Sequence, residues 1–119
     1  MHKLLIFLKR RPGLSRDEFR AYYEAHHVPL CMAHMVGVVR YMRRYLEPAE
    51  GMGELDADVI TEVWFKHRAA LDHILASAAK DQLPPDVLAD EMQLFDRSKS
   101  RFCAVRECET DMAGYHSVA

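Results

Sequence analysis

Between Leu14 and Pro29 the chain carries the start and stop signals of one helix, and that helix constrains everything around it. Ser15 is a natural N-cap. Glu18, three residues on, closes a capping box in which each side chain satisfies the other's backbone amide. Leu14 before the cap and Phe19 at the fourth helical position have the spacing of a hydrophobic staple. Arg10-Arg11-Pro12-Gly13 supplies the turn that precedes them. Phe19, Tyr22, Tyr23, His26 and Leu30 then recur at i, i+3, i+4 and i+7 and make one face, with His27 at its edge. Pro29 disfavours helical backbone at Val28, so the regular helix is expected to stop or kink there. A further turn over 30–35 would close at Gly37 as the C′ residue. Aromatic and titratable side chains thus collect at one helix end.

The flanking segments read as a small α+β domain. Residues 3–9 are a short apolar run ending in charge, which predicts a buried strand. The alternation over 38–47 predicts a second strand and residues 48–56 a loop. Residues 58–66 predict a third strand, with Ile60, Glu62 and Trp64 on one face and Thr61, Val63 and Phe65 on the other. Leu71, Ile74, Leu75 and Ala78 mark a helix over 68–80. Pro85 opens another at N1 that runs to about Phe95, with Val87, Leu88, Met92 and Phe95 inward. A last strand covers 101–107. The domain is expected to occupy 1–109, and 110–119 to form a polar tail, frayed or docked on a partner.

This order is the split β-α-β, ferredoxin-like arrangement β-α-β-β-α-β: an antiparallel sheet with helices on one face. The opposite face would present Ile60, Trp64 and half of the first strand, too apolar to leave in water. Two such sheets facing each other would form a dimeric α+β barrel, so a homodimer is expected.

Composition narrows the function classes. With 119 residues and a net charge of -2, the chain fits one domain and has no global field for nucleic acid or anionic membrane. Its longest apolar run, Leu4 to Leu8, is far too short to span a bilayer, and no signal-peptide pattern follows it. Cys31, Cys103 and Cys108 have no CxxC spacing, which points to reduced thiols and a cytoplasmic setting. Cys103 and Cys108, five apart on the last strand, should point to opposite faces. The seven histidines include no HExxH pattern, and no GxGxxG, P-loop or nucleophile-elbow motif is present. Neither a metal site nor a nucleotide cofactor is therefore expected.

The motifs resemble those of the EthD family of dimeric α+β barrel proteins. The turn and helix from Lys9 to Phe19, Tyr22-Tyr23, and His27-Val28-Pro29-Leu30 are similar to its opening pattern, a K-R-x-P-G-x-S turn, an E-F-x-x-Y-W helix and an H-x-P-L end. Glu62 to Phe65 is similar to its third strand and Phe95 to Phe102 to the D-x-S-x-S approach to its last. Tyr23 stands where the family more often has Trp, which keeps an aromatic and adds a hydroxyl. His26 is not part of the pattern. The resemblance covers nearly the whole chain and implies the fold and the dimer. It implies function loosely: relatives are associated with ether degradation and aromatic polyketide tailoring, as cyclases, decarboxylases, dehydratases and lactone isomerases, generally without a cofactor.

Several side chains then carry two readings each. His27 is the candidate general acid/base; as a plain structural residue it would cap helix carbonyls and meet the helix dipole. The dipole favours the cation, whereas burial among Phe19, Tyr22 and Tyr23 favours the neutral ring. Glu62 either orients a histidine or takes a proton, or pairs with Arg40 or Arg44 of the neighbouring strand. Phe19, Tyr22, Tyr23 and Trp64 either line a pocket for a small hydrophobic substrate or pack a core. The function expected is a cofactor-independent lyase or isomerase moving a proton on a small, aromatic or polyketide-like molecule. The alternatives are a non-catalytic binding or accessory protein of an oxidative pathway and a cofactor-free or haem-linked monooxygenase.

Overall fold

A computed structural model of the chain describes residues 1–115, so the last four residues of the expected tail lie outside the described residues. Strands β1 (His2–Leu8), β2 (Val38–Tyr45), β3 (Val59–Phe65) and β4 (Arg101–Ala104) form one sheet in the order β2-β3-β1-β4. Every pairing is antiparallel. With helices α1 (Arg16–Tyr22), α2 (Val28–His34), α3 (Arg68–Ala79) and α4 (Pro85–Leu94), this is the expected ferredoxin-like α+β fold.

The β pleat sorts the side chains of the sheet. Leu4, Ile6, Leu8, Val59, Val63 and Phe65 point under the helices and are buried with Phe19, Tyr23, Leu71, Leu94 and Phe95. In β1 and β3 the other set of alternating positions, Leu5, Phe7, Ile60, Glu62 and Trp64, forms the opposite face. The start of α1 follows the sequence signals. The Glu18 amide donates to Ser15 Oγ at 3.1 Å, and the Ser15 amide to Glu18 Oε1 at 3.0 Å.

The middle of this helix departs from expectation. Residues Arg16–His34 form one unbroken helical run, with a π-helical segment, Tyr23–His27, between α1 and α2. Pro29 sits in the first turn of α2, and Val28 keeps helical angles, φ -61° and ψ -53°. The Val28 amide donates to the Tyr23 carbonyl five residues back. The widened turn re-routes the hydrogen bonds just where the proline has no N–H to offer, so no break is needed. It also changes the buried face. An ordinary helix makes four-residue steps drift around its axis, whereas a wider turn keeps them more nearly in line. Phe19, Tyr23, His27 and Cys31 are accordingly the buried stripe. His26 is exposed, and Tyr22 and Leu30 are half-buried.

Three further expectations are corrected. Strand β4 ends at Ala104, so Cys108 lies beyond it and shares no strand with Cys103. Met92 is 61% exposed, because α4 turns Val87, Glu91 and Leu94 inward instead. Helix α2 is capped by Met35; Gly37 takes its left-handed conformation, φ 74°, two residues later at the approach to β2.

Packing should outweigh capping here. By denaturant unfolding, Ser15→Ala should cost about 1 kcal/mol, and Phe19→Ala, which empties the centre of the aromatic core, about 3–5 kcal/mol. Equal costs would contradict this account of the helix.

Candidate active site

The π turn carries His27 into the interior, where it is 3% exposed. Its ring stands edge-on to Tyr23 and to Phe95, with centroids 5.1 Å away in each case. Helix α4 supplies its polar partner: Nδ1 lies 2.8 Å from Asp90 Oδ2. The Tyr22 hydroxyl donates to the other oxygen of Asp90 at 2.5 Å. On the far side of the ring, Nε2 lies 3.3 Å from Cys31 Sγ, one helical turn on. Four side chains thus form a chain of contacts, Tyr22–Asp90–His27–Cys31.

The protonation pattern follows from this geometry. Burial lowers the pKa of His27, and the hydrogen bond and charge of Asp90 offset only part of that. The ring is neutral near pH 7. A carboxylate only accepts, so Nδ1 carries the proton and Nε2 the lone pair. Burial, followed by the charges of Glu91, Asp90 and Asp86, pushes the Cys31 thiol up to about 12. Cys31 therefore stays protonated and donates to Nε2. The helix-capping reading of His27 falls, because the helix continues to His34 and its carboxyl end lies elsewhere.

This chain of contacts borders a cavity of about 400 Å³ between the helices and the sheet. Ile6, Leu8, Met35, Ile74 and Phe102 provide much of its apolar wall. Tyr41 and Glu91 also line it. Burial raises the pKa of Tyr41, which keeps its phenol protonated. Burial likewise raises Glu91 against the pull of Arg97, whose Nε donates to Glu91 Oε1 at 3.2 Å. A second pair, His34 and Asp86 at 2.9 Å, bridges α2 and α4 nearer the surface. Among the described residues, no three His, Cys, Asp or Glu side chains are grouped to hold a metal ion.

The residues singled out from the sequence separate. Tyr23 and His27 line the cavity, and the Tyr23 hydroxyl shares a hydrogen bond of 2.5 Å with Thr61. Tyr22 serves Asp90. Phe19 packs behind them, edge-on to Tyr23 and Phe95. Glu62 and Trp64 do not join His27, because they alternate with Thr61 and Val63 and point to the other face of the sheet. There, Trp64 Nε1 donates to Glu62 at 2.7 Å, and Arg44 lies 3.3 Å from the same carboxylate. Burial works to raise the pKa of Glu62, but Trp64 and Arg44 outweigh it and hold the carboxylate ionised. The ion-pair reading of Glu62 is the one realised. Asp90 and Glu91 were missed. The spacing of Val87, Glu91 and Leu94 was the available signal, because it sets an acid within the apolar stripe of α4.

The chain thus combines a ferredoxin-like antiparallel sheet with a buried histidine–aspartate pair at the wall of an apolar cavity. The EthD domain profile matches residues 11–98, and the chain belongs to the EthD family. Its fold is similar to that of an EthD family protein from Bacillus halodurans, with a TM-score of 0.59 at 18% identity, over 91% of this chain and 100% of that one. It is also similar to the At3g17210 protein of Arabidopsis thaliana, with a TM-score of 0.60 at 10% identity, over 93% of this chain and 99% of that one. No curated protein matches the sequence. Among the described residues, no helix is long and apolar enough to cross a membrane.

The lowered pKa of His27 has a thermodynamic consequence. Below about pH 6.5 the unfolded chain binds a proton at this histidine that the folded chain refuses, so stability must fall with acidification. Urea unfolding at pH 7 and pH 5.5 should show a larger acid loss in the parent than in His27→Gln. Equal losses would contradict a buried neutral ring.

Proposed function

We propose that the protein is a cofactor-independent lyase or isomerase that moves a proton on a small hydrophobic, aromatic or polyketide-like molecule. The observation that carries this reading is a neutral His27, held by Asp90, at the wall of an apolar cavity. A general base must be unprotonated, positioned and sheltered, and His27 meets all three needs. Its Nε2 takes a proton from an acidic carbon of the ligand. The Asp90 carboxylate then stabilises the imidazolium, and the Tyr41 phenol is available as a donor to the developing enolate oxygen. Cyclisation and dehydration fit this sequence of steps; in a decarboxylation the loss of CO2 itself generates the enolate, which the Tyr41 phenol stabilises before carbon is protonated. A carrier or accessory protein for a hydrophobic metabolite is the second reading, favoured by the thiol of Cys31 resting against Nε2.

The partner proposed is a second copy of the chain. The outer sheet face carries Leu5, Phe7, Ile60 and Trp64, all half-buried, with Trp64 flanked by Lys3 at 4.1 Å and Arg40 at 4.9 Å. Closing two such faces into a barrel would remove this apolar surface from water. The setting proposed is cytoplasmic. Glu62 and Trp64 would belong to that interface rather than to the cavity.

Two measurements test this. On a substrate that turns over, His27→Gln should lower kcat by about 10²–10⁴-fold and Asp90→Asn should lower it as well. Full activity in His27→Gln would remove the mechanism, and binding without turnover would favour the carrier. In sedimentation velocity the protein should run as a dimer; a stable dilute monomer would remove the barrel.

A further inference from the structure

We propose that Cys31, His27 and Asp90 form a nucleophile–base–acid array that adds to a conjugated carbonyl compound held in the cavity. The inference rests on the reading that the cavity takes a small hydrophobic ligand. Its own basis is geometric. Cys31 follows His27 by four residues on a continuous helical run, which puts Sγ 3.3 Å from Nε2. Asp90 holds the opposite nitrogen at 2.8 Å and thereby leaves the Nε2 lone pair facing the sulfur. A nucleophile, a base within reach of it and a third group orienting the base is the arrangement that activates cysteines and serines in unrelated folds. Cys31 and His27 both border the cavity. The other two thiols lack this setting: both are exposed, Cys103 opposite Leu5 on the outer sheet face and Cys108 beyond β4.

The charges around the sulfur select the kind of electrophile. Glu91, Asp90 and Asp86 from α4 all disfavour a thiolate, Tyr41 of β2 is a neutral neighbour, and His34 on α2 is engaged with Asp86. The resting pair is thus neutral thiol and neutral imidazole, not thiolate and imidazolium. Attack must be coupled to proton transfer, and it suits a soft acceptor whose charge moves away from the sulfur. A conjugated enone or imide qualifies. The sulfur forms a bond to the β-carbon, the C=C π pair moves to the carbonyl as an enolate, and the thiol proton passes to His27 Nε2. The same proton then returns to the α-carbon, which leaves a neutral thioether and a neutral histidine. Nothing is oxidised and no group leaves. The reverse elimination releases the ligand.

N-Phenylmaleimide tests the proposal on a Cys103→Ser/Cys108→Ser parent, with N-phenylsuccinimide as its saturated, unreactive analogue. Mass spectrometry should find one adduct, on Cys31. At pH 7 labelling of the folded protein should outpace that of the urea-unfolded chain by about tenfold, because only the folded state supplies the base. The rate should level off above about pH 7, following His27, rather than climb through about 8.5 as an ordinary thiol does. His27→Gln and Asp90→Asn should each label about tenfold more slowly. An unlabelled Cys31, a folded rate no faster than the unfolded one, or a rate still climbing through pH 8.5 would overturn the proposal. The pH profile decides the matter if the variants fail to fold. If N-phenylsuccinimide binds while N-phenylmaleimide leaves Cys31 unlabelled, the thiol step fails and the cavity reading stands. If neither compound binds, both fail.

Discussion

The hydrogen bond from the Val28 amide to the Tyr23 carbonyl lets a proline sit inside a helical run without interrupting it. Most of what distinguishes this chain follows from that single widened turn. Without it, four-residue steps would drift off the buried face, and Phe19, Tyr23, His27 and Cys31 would not share one stripe. With it, the histidine lies 2.8 Å from Asp90 of a helix more than sixty positions away in sequence. π segments of this kind are frequent at functional sites because they re-aim side chains without dissolving the helix.

The two faces of the sheet then do different work. The helix-covered face holds the core, the cavity and the neutral histidine, so burial sets its electrostatics. The outer face holds ionised groups. Arg44 pairs with Glu62, and Lys3 and Arg40 stack on Trp64. An arginine and an indole N–H keep the Glu62 carboxylate ionised on the outer face, whereas burial keeps His27 uncharged at the cavity wall. The pleat of β1 and β3 keeps these environments apart, because neighbouring residues such as Thr61 and Glu62 point in opposite directions.

Much of the fold was legible because local and global signals agreed. The capping box at Ser15, the alternation in β3 and the proline at the start of α4 each have one low-energy interpretation, and together they specify the ferredoxin-like order. Pro29 misled because its preference is statistical and the i→i+5 bond that overrides it leaves no motif. The site was half legible. His27 stood out for its chemistry, but its partner did not, since pairing Asp90 with His27 requires knowing how α4 crosses the first helix. Glu62 attracted attention as a charge on an apolar strand. Arg44, with Arg40, was near enough to be weighed as its partner, but the Trp64 indole two residues on was not, and neither was which sheet face held the cavity. Glu91 shows the opposite case, a buried acid readable from the 87/91/94 spacing of α4.

The central claim is that His27 is a buried, neutral ring with its proton on Nδ1 and its Nε2 lone pair facing Cys31 at the cavity wall. Imidazole ¹⁵N spectra of the folded protein, recorded across a pH series, test this most directly. The account predicts a neutral His27 protonated at Nδ1 near pH 7, with protonation only below the usual value of about 6.5. A ring that is cationic at pH 7, or neutral with its proton on Nε2, would contradict it.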